Sequence, residues 1–129
     1  MGLRDMENNV VELARRDTKE KQQVSIVGLS GHIIKLLEDI QQNLYNNALK
    51  YREQHITSVD SWDEFVKTLN EKGGFVSAHW DGTAETEAEI KDKTKATIRC
   101  IPLNNPKEQG LCILSGKPSK ERVLFAIAY

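Results

Sequence analysis

Three groups of residues in this chain could do chemistry. The first is a run of mixed charge near the start: Arg4, Asp5, Glu7, Arg15, Arg16, Lys19 and Lys21. Guanidinium and ammonium groups can donate to acceptors on a nucleic-acid base, and carboxylates can accept from its N–H groups. Residues 4–21 hold both kinds. The plain alternative is a solvated hairpin face, since exposed charge is common. The second group is the chain end. Val123, Phe125 and Ile127 alternate ahead of Tyr129, so its free carboxylate is carried by an apolar strand, where most chains end in a frayed tail. A carboxylate held that way is a fixed acceptor for backbone N–H groups or an arginine. The third group is the thiols and imidazoles. His32 and His55 have no second ligand at the helical i+3 or i+4 spacing, and read as polar end groups. His79 precedes Trp80 in an alternating run and reads as packed. No nucleophile–base pairing, phosphate-cradling glycine loop or metal spacing is present, so the chain alone is expected to be catalytically inert.

Composition bounds the answer further. At 129 residues this is one ordinary domain, or two small ones sharing a helix. An apolar fraction of 39% can supply a core. Eighteen basic and 19 acidic residues give a net charge of -1, which argues against a strongly basic nucleic-acid binder but leaves room for a local basic patch. No apolar run reaches membrane-spanning length and no secretory segment follows Met1. The expectation is a cytoplasmic chain with no membrane partner. Cys100 and Cys112 are expected to stay reduced, as small buried apolar groups.

The elements that must position these groups follow from periodicity. Asn8-Asn9 is a turn signal, Val10 to Arg16 and Gln22 to Val27 read as two strands, and Asp17 to Glu20 is the turn between them. A lone hairpin is marginal, so residues 1–27 are expected to belong to a larger sheet whose other strands are missing. Leu29, Ile33, Leu36, Leu37, Ile40, Leu44, Ala48 and Tyr51 recur at helical spacing. Ser61 to Glu64 fits a capping box, opening a helix over about residues 60–71 that Gly73-Gly74 stops. Then come a strand from Phe75 to Trp80, a turn at Asp81-Gly82-Thr83, and a charged helix to about Lys93. Strands at Thr97 to Leu103, Leu111 to Leu114 and Arg122 to Tyr129 complete the reading, with turns between them. The expected class is α+β: a two-layer helix/sheet domain, preceded by a hairpin and long helix from an incomplete α/β domain.

Three stretches carry a family resemblance. GLRDMENNVVELARRDTKEK resembles the end of the anticodon-binding domain of the archaeal/eukaryotic-like prolyl-tRNA synthetases. GFVSAHWDGTAETEAEIKDKTKATIRCIPL and LCILSGKPSKERVLFAIAY resemble the same family's C-terminal domain. The resemblance covers nearly the whole chain in the family's order. It implies residues 1–56 as the end of the anticodon-binding domain and residues 57–129 as the C-terminal domain of a longer enzyme. That enzyme would join proline to tRNA(Pro) with ATP and Mg, as a homodimer through a catalytic domain that this chain lacks.

The resemblance also implies sites. The family often holds a structural zinc with two cysteines after the first strand and a later C-x-x-C pair. Those positions are Asp81, Thr86, Cys112 and Ser115 here, and Cys112 alone keeps a thiol. Neutral hydroxyls are poor zinc donors, so no structural zinc is expected, and hydrogen bonds capping nearby backbone should replace it. Asp81 itself could cap the helix beginning near Thr83. Arg4, in the family's G-P-[RK]-D motif, and Lys21, after the hairpin turn, fall at the anticodon, with Asp5, Arg15 and Arg16 next in line. Leu3 replaces the motif's proline. The family's last tyrosine and its carboxylate support the active-site region, which assigns that role to Tyr129. Ile127 stands where the family's F-A-K-A-Y ending has a basic residue. Two other readings are a free-standing tRNA- or protein-binding module of the same descent, and an unrelated small enzyme with no visible site.

Overall fold

A computed structural model describes residues 2–128, so Tyr129 and its carboxylate lie outside the described residues. The chain forms two compact units, Met1–Tyr51 and Arg52–Tyr129.

The first unit opens with a five-residue helix α1 (Leu3–Glu7), which the sequence reading did not include, followed by the expected turn at Asn8-Asn9. Asn9 then takes a positive φ of 51°, which asparagine tolerates, and turns the chain into the hairpin. Strand β1 (Val10–Ala14) pairs antiparallel with β2 (Lys21–Ser25), Val10 opposite Ser25 and Ala14 opposite Lys21. Val11 and Leu13 are half-buried, as strict alternation requires. Helix α2 (Leu29–Gln54) follows. Leu29, Ile33, Leu36 and Ile40 of its apolar stripe are half-buried, but Leu37, Leu44, Ala48 and Tyr51 stand exposed. Two strands offer too narrow a sheet to cover a stripe of that width, and no described residue up to Tyr51 is fully buried.

The second unit holds the core. Strand β3 (Ile56–Ser58), helix α3 (Trp62–Glu71) and strand β4 (Phe75–His79) form a parallel β-α-β unit. Ser61 is the α3 N-cap, accepting from the Glu64 N–H at 3.3 Å. Gly73 and Gly74 end the helix at positive φ, and a Cβ on Gly74 would lie 2.7 Å from the His55 carbonyl oxygen. Helix α4 (Ala84–Thr94) leads to β5 (Ala96–Cys100), a two-residue hairpin of β6 (Gly110–Leu111) and β7 (Pro118–Ser119) stands apart, and β8 (Arg122–Ile127) closes the chain.

The sheet order is β3-β4-β8-β5, with β8 antiparallel to both neighbours. The last strand is therefore interior, hydrogen-bonded along both edges. Val123 and Phe125 face a core of Phe65, Val76, Ala78, Ile90 and Ala96. Phe65 meets Phe125 edge-to-face at 5.1 Å and stacks on Trp62 at 5.5 Å. Strand β3 and the insertion of β8 between β4 and β5 were absent from the sequence reading. Leu111 to Leu114 joins the short hairpin and a turn instead of the main sheet. Ile127, expected as a core anchor, is 43% exposed. Cys112 is buried but Cys100 is exposed, because the β5–β8 register shifts between Ile98 and Cys100 and breaks the alternation.

Candidate functional site

The structure brings Asp81, Thr86 and Ser115 together. Asp81 follows β4 in a turn that Gly82 closes at positive φ, and Thr83 caps α4. Ser115 belongs to the tight 112–117 turn, where the Cys112 N–H donates to the Lys117 carbonyl and the Gly116 N–H to the Cys112 carbonyl. The Ile113 N–H, donating to the His79 carbonyl, lays that turn beside β4. Asp81 Oδ2 then accepts from Ser115 Oγ at 2.6 Å and Thr86 Oγ1 at 2.8 Å. Oδ1 accepts from the Thr83 N–H at 3.1 Å and Thr83 Oγ1 at 2.9 Å. The Trp80 indole N–H donates to the Thr83 carbonyl at 3.1 Å.

Thus the hydroxyls give their protons to Asp81, while Ser115 Oγ also accepts from the Lys117 N–H at 3.3 Å, as the expected capping of backbone donors requires. The α4 cap is Thr83, not Asp81, its hydroxyl accepting from the Thr86 N–H. Burial pushes the Asp81 carboxyl up, but donors from Ser115, Thr83 and Thr86 outweigh it and hold the pKa at about 2. One carboxylate, neutral hydroxyls and one thiol do not fit a tetrahedral zinc site. Among the described residues no three His, Cys, Asp or Glu side chains gather as a metal would require.

The charges of residues 4–21 separate into two kinds. Arg15 grips its own hairpin turn: Nε donates to Asp17 Oδ1 at 3.0 Å, Nη2 to Asp17 Oδ2 at 2.7 Å, and Nη1 to Asp39 of α2 at 2.6 Å. Asn43 adds a donor to Asp17 at 2.8 Å. The Arg15 guanidinium, opposed by burial and aided by Asn43, holds the Asp17 carboxyl far below the usual carboxylate range. Arg4, Arg16 and Lys21 are exposed, and Lys21 lies 3.5 Å from Glu12. Asp5 accepts from the Gly2 N–H at 2.7 Å across the start of α1.

A third arrangement was not foreseen. Arg122, at the head of β8, uses its whole guanidinium fork. Nε donates to Glu108 at 3.0 Å, Nη2 to Glu108 at 3.2 Å and to Asp60, and Nη1 to the carbonyls of Val59 at 3.0 Å and Ser77 at 3.4 Å. Asn105 Nδ2 returns a bond to the Arg122 carbonyl at 2.6 Å. The Arg122 hydrogen bonds lower the Glu108 pKa, against burial. Beside this node the buried His79 ring has Nδ1 3.1 Å from Ser119 Oγ and Nε2 3.7 Å from Glu108, with Gly110 pressed against its face. Ser119 is 5% exposed and its hydroxyl donates to the Glu121 carbonyl at 2.9 Å instead of to His79, so this serine has neither the access nor the base partner of a nucleophile. No local sequence signal marks the node, because its partners come from separate stretches of chain. The arginine standing immediately before an apolar strand is the nearest hint.

A family model described as "Prolyl-tRNA synthetase, C-terminal" matches residues 62–129. The chain belongs to that family. The prolyl-tRNA synthetase resemblance extends beyond the matched domain. Proline--tRNA ligase of Porphyromonas gingivalis is 55% identical over 129 residues, covering 100% of this chain and 26% of the relative. That of Cytophaga hutchinsonii is 56% identical over 129 residues, with the same 100% and 26% coverage. Among solved structures, prolyl-tRNA synthetase from Cryptosporidium parvum, crystallised with halofuginone and AMPPNP, superposes with a TM-score of 0.94 at 32% identity, over 100% of this chain and 27% of that one. The chain spans about a quarter of the length of these prolyl-tRNA synthetase relatives.

Proposed function

We propose that this chain acts as the C-terminal part of an ATP-dependent proline–tRNA ligase. The observation that carries the reading is likeness to proline--tRNA ligase along the entire chain, at 55% identity. ATP and Mg would serve the catalytic part of the polypeptide; nothing in this chain is assigned to either. Homodimerisation through the catalytic domain and a cytoplasmic site of action belong to the same reading. No helix of the described residues is long and apolar enough to cross a membrane.

Within it, residues 1–56 form the end of an anticodon-binding domain and residues 57–129 a structural domain. Arg4 and Arg16 reach RNA from an exposed edge, Lys21 does so by exchanging its exposed pair with Glu12, and Asp5 is an acceptor beside Arg4. Arg15 contributes by fixing the turn that presents Arg16 and Lys21. The chain end carries Tyr129, whose carboxylate supports the active site of the catalytic domain. Asp81, Thr86, Ser115 and Cys112 replace a zinc centre with a hydrogen-bonded one.

In the complete ligase, Arg4→Ala and Lys21→Ala are expected to raise the KM for tRNA(Pro) while sparing proline-dependent ATP–pyrophosphate exchange. Parallel loss of both activities would point to misfolding and remove the anticodon assignment. Stoichiometric zinc in chelator-free protein would remove the metal-free centre.

A further inference from the structure

We infer that Arg122 is a positioning residue for the reaction, setting the placement of the terminal strand and acting on the active site through it. The inference deepens the proposed role of Tyr129 and rests on that reading. Its basis is geometric. Strand β8 is interior to the sheet, but at its head Arg122 pairs only with His79 of β4, since the pairing with β5 starts at Leu124, which leaves the other edge of the head to be anchored by side chains. Arg122 supplies that anchor in several directions at once. It reaches Val59 and Asp60 after β3, Ser77 in β4, and Glu108 in the 101–109 loop. All five donors of the guanidinium fork are engaged, and the side chain is 15% exposed. The backbone of the same residue is held by Asn105.

A surface ion pair would carry little such meaning, since exposed pairs contribute little and tolerate rearrangement. Arg122 differs because two of its acceptors are backbone carbonyls, Val59 and Ser77, whose positions follow the sheet itself. A lysine keeps the charge but offers one point of donors where the site needs a planar fork. The strand runs six residues from Arg122 to Ile127, with Val123 and Phe125 locked in the core. A shift at the head is therefore passed along a rigid element toward its end. Small misplacements of a positioning group are costly to catalysis.

The test is a double-mutant cycle in a complete proline–tRNA ligase ending in this chain. Arg122→Lys is combined with a short C-terminal extension that displaces the Tyr129 carboxylate. Kinetics of proline-dependent ATP–pyrophosphate exchange are read beside hydrogen exchange of the β8 amides, with Glu108→Gln as a milder disturbance of the same fork. The expected result is faster amide exchange in β8 and a drop in exchange kcat on the order of tenfold for Arg122→Lys. The loss should vanish as a further effect once the extension is present, because both changes act on one group. Unchanged β8 protection, or losses that multiply in the double variant, would overturn the role of Arg122. If the extension alone leaves activation unchanged while Arg122→Lys loosens β8, the reading of Tyr129 fails and the anchoring of the strand stands.

Discussion

The Ser115 hydroxyl donates to the Asp81 carboxylate at 2.6 Å, joining two turns that lie 34 positions apart. A full negative charge is thus held at the centre and neutral hydroxyls and an N–H are arranged around it, the reverse polarity of a cation held by thiolates. The arrangement makes the junction sensitive to protons.

Asp81 has its folded pKa depressed from 3.8 to about 2. A depressed carboxyl contributes stability above its unfolded pKa and loses it as pH falls through the folded one. The second unit should therefore weaken between about pH 4 and pH 2, by about 1 kcal/mol once solvent screening of a half-buried group is allowed for. Asp81→Asn should flatten that window, and Ser115→Ala should narrow it. Urea unfolding followed by tryptophan fluorescence checks this, since Trp62 and Trp80 both lie in the second unit.

Gly110→Ala should destabilise the second unit by roughly 1–3 kcal/mol, the range of core overpacking. A Cβ there would sit 2.3 Å from His79 Nε2, and the buried ring has little room to retreat. Gly74→Ala meets both a positive φ and the His55 carbonyl, and should cost a comparable amount. Thermal melts of the two variants and of Gly31→Ala, where nothing lies within 4 Å, make the comparison.

How much of this was legible in the sequence depends on how local each determinant is. Helix α3 was legible because its cap at Ser61 and its stop at Gly73-Gly74 lie within the element. The ordering of the terminal strand was legible from Val123 and Phe125. Its interior place between β4 and β5 was not, since strand pairing is fixed by contacts far along the chain. Strand β3 is three residues long, too short for alternation to declare itself. Cys100 was misplaced because a register shift reverses a face without any local sign. The meeting of Asp81, Thr86 and Ser115 was anticipated from family positions, but the convergence of donors on one carboxylate required the geometry. Arg15, grouped with the charges expected to face RNA, spends its fork on Asp17 and Asp39, and its place on the half-buried Val11–Leu13 face is the one local sign that separates it from Arg16.

That distinction separates two kinds of variant in the hairpin. Arg16→Ala should weaken tRNA(Pro) binding by roughly 1–3 kcal/mol with little change in the unfolding of the first unit. Arg15→Ala should instead loosen the hairpin, because Asp17, with its side chain 3% exposed, keeps only neutral donors from Asn43 and the turn backbone and loses its charge partner. Filter binding alongside hydrogen exchange of the β1 and β2 amides distinguishes the two.

Phe125→Ala removes the partner of Phe65 at the centre of the core and should cost about 3–5 kcal/mol. Because β8 is paired on both edges, the loss should abolish cooperative unfolding of the second unit and not merely fray its end. A retained sigmoidal transition with a small midpoint shift would be inconsistent with an interior terminal strand.

The most direct measurement is proline-dependent ATP–pyrophosphate exchange by a complete ligase ending in this chain, with and without Tyr129. The account predicts a kcat lower on the order of tenfold when Tyr129 is removed, with affinity for tRNA(Pro) unchanged. An unchanged exchange rate would contradict it.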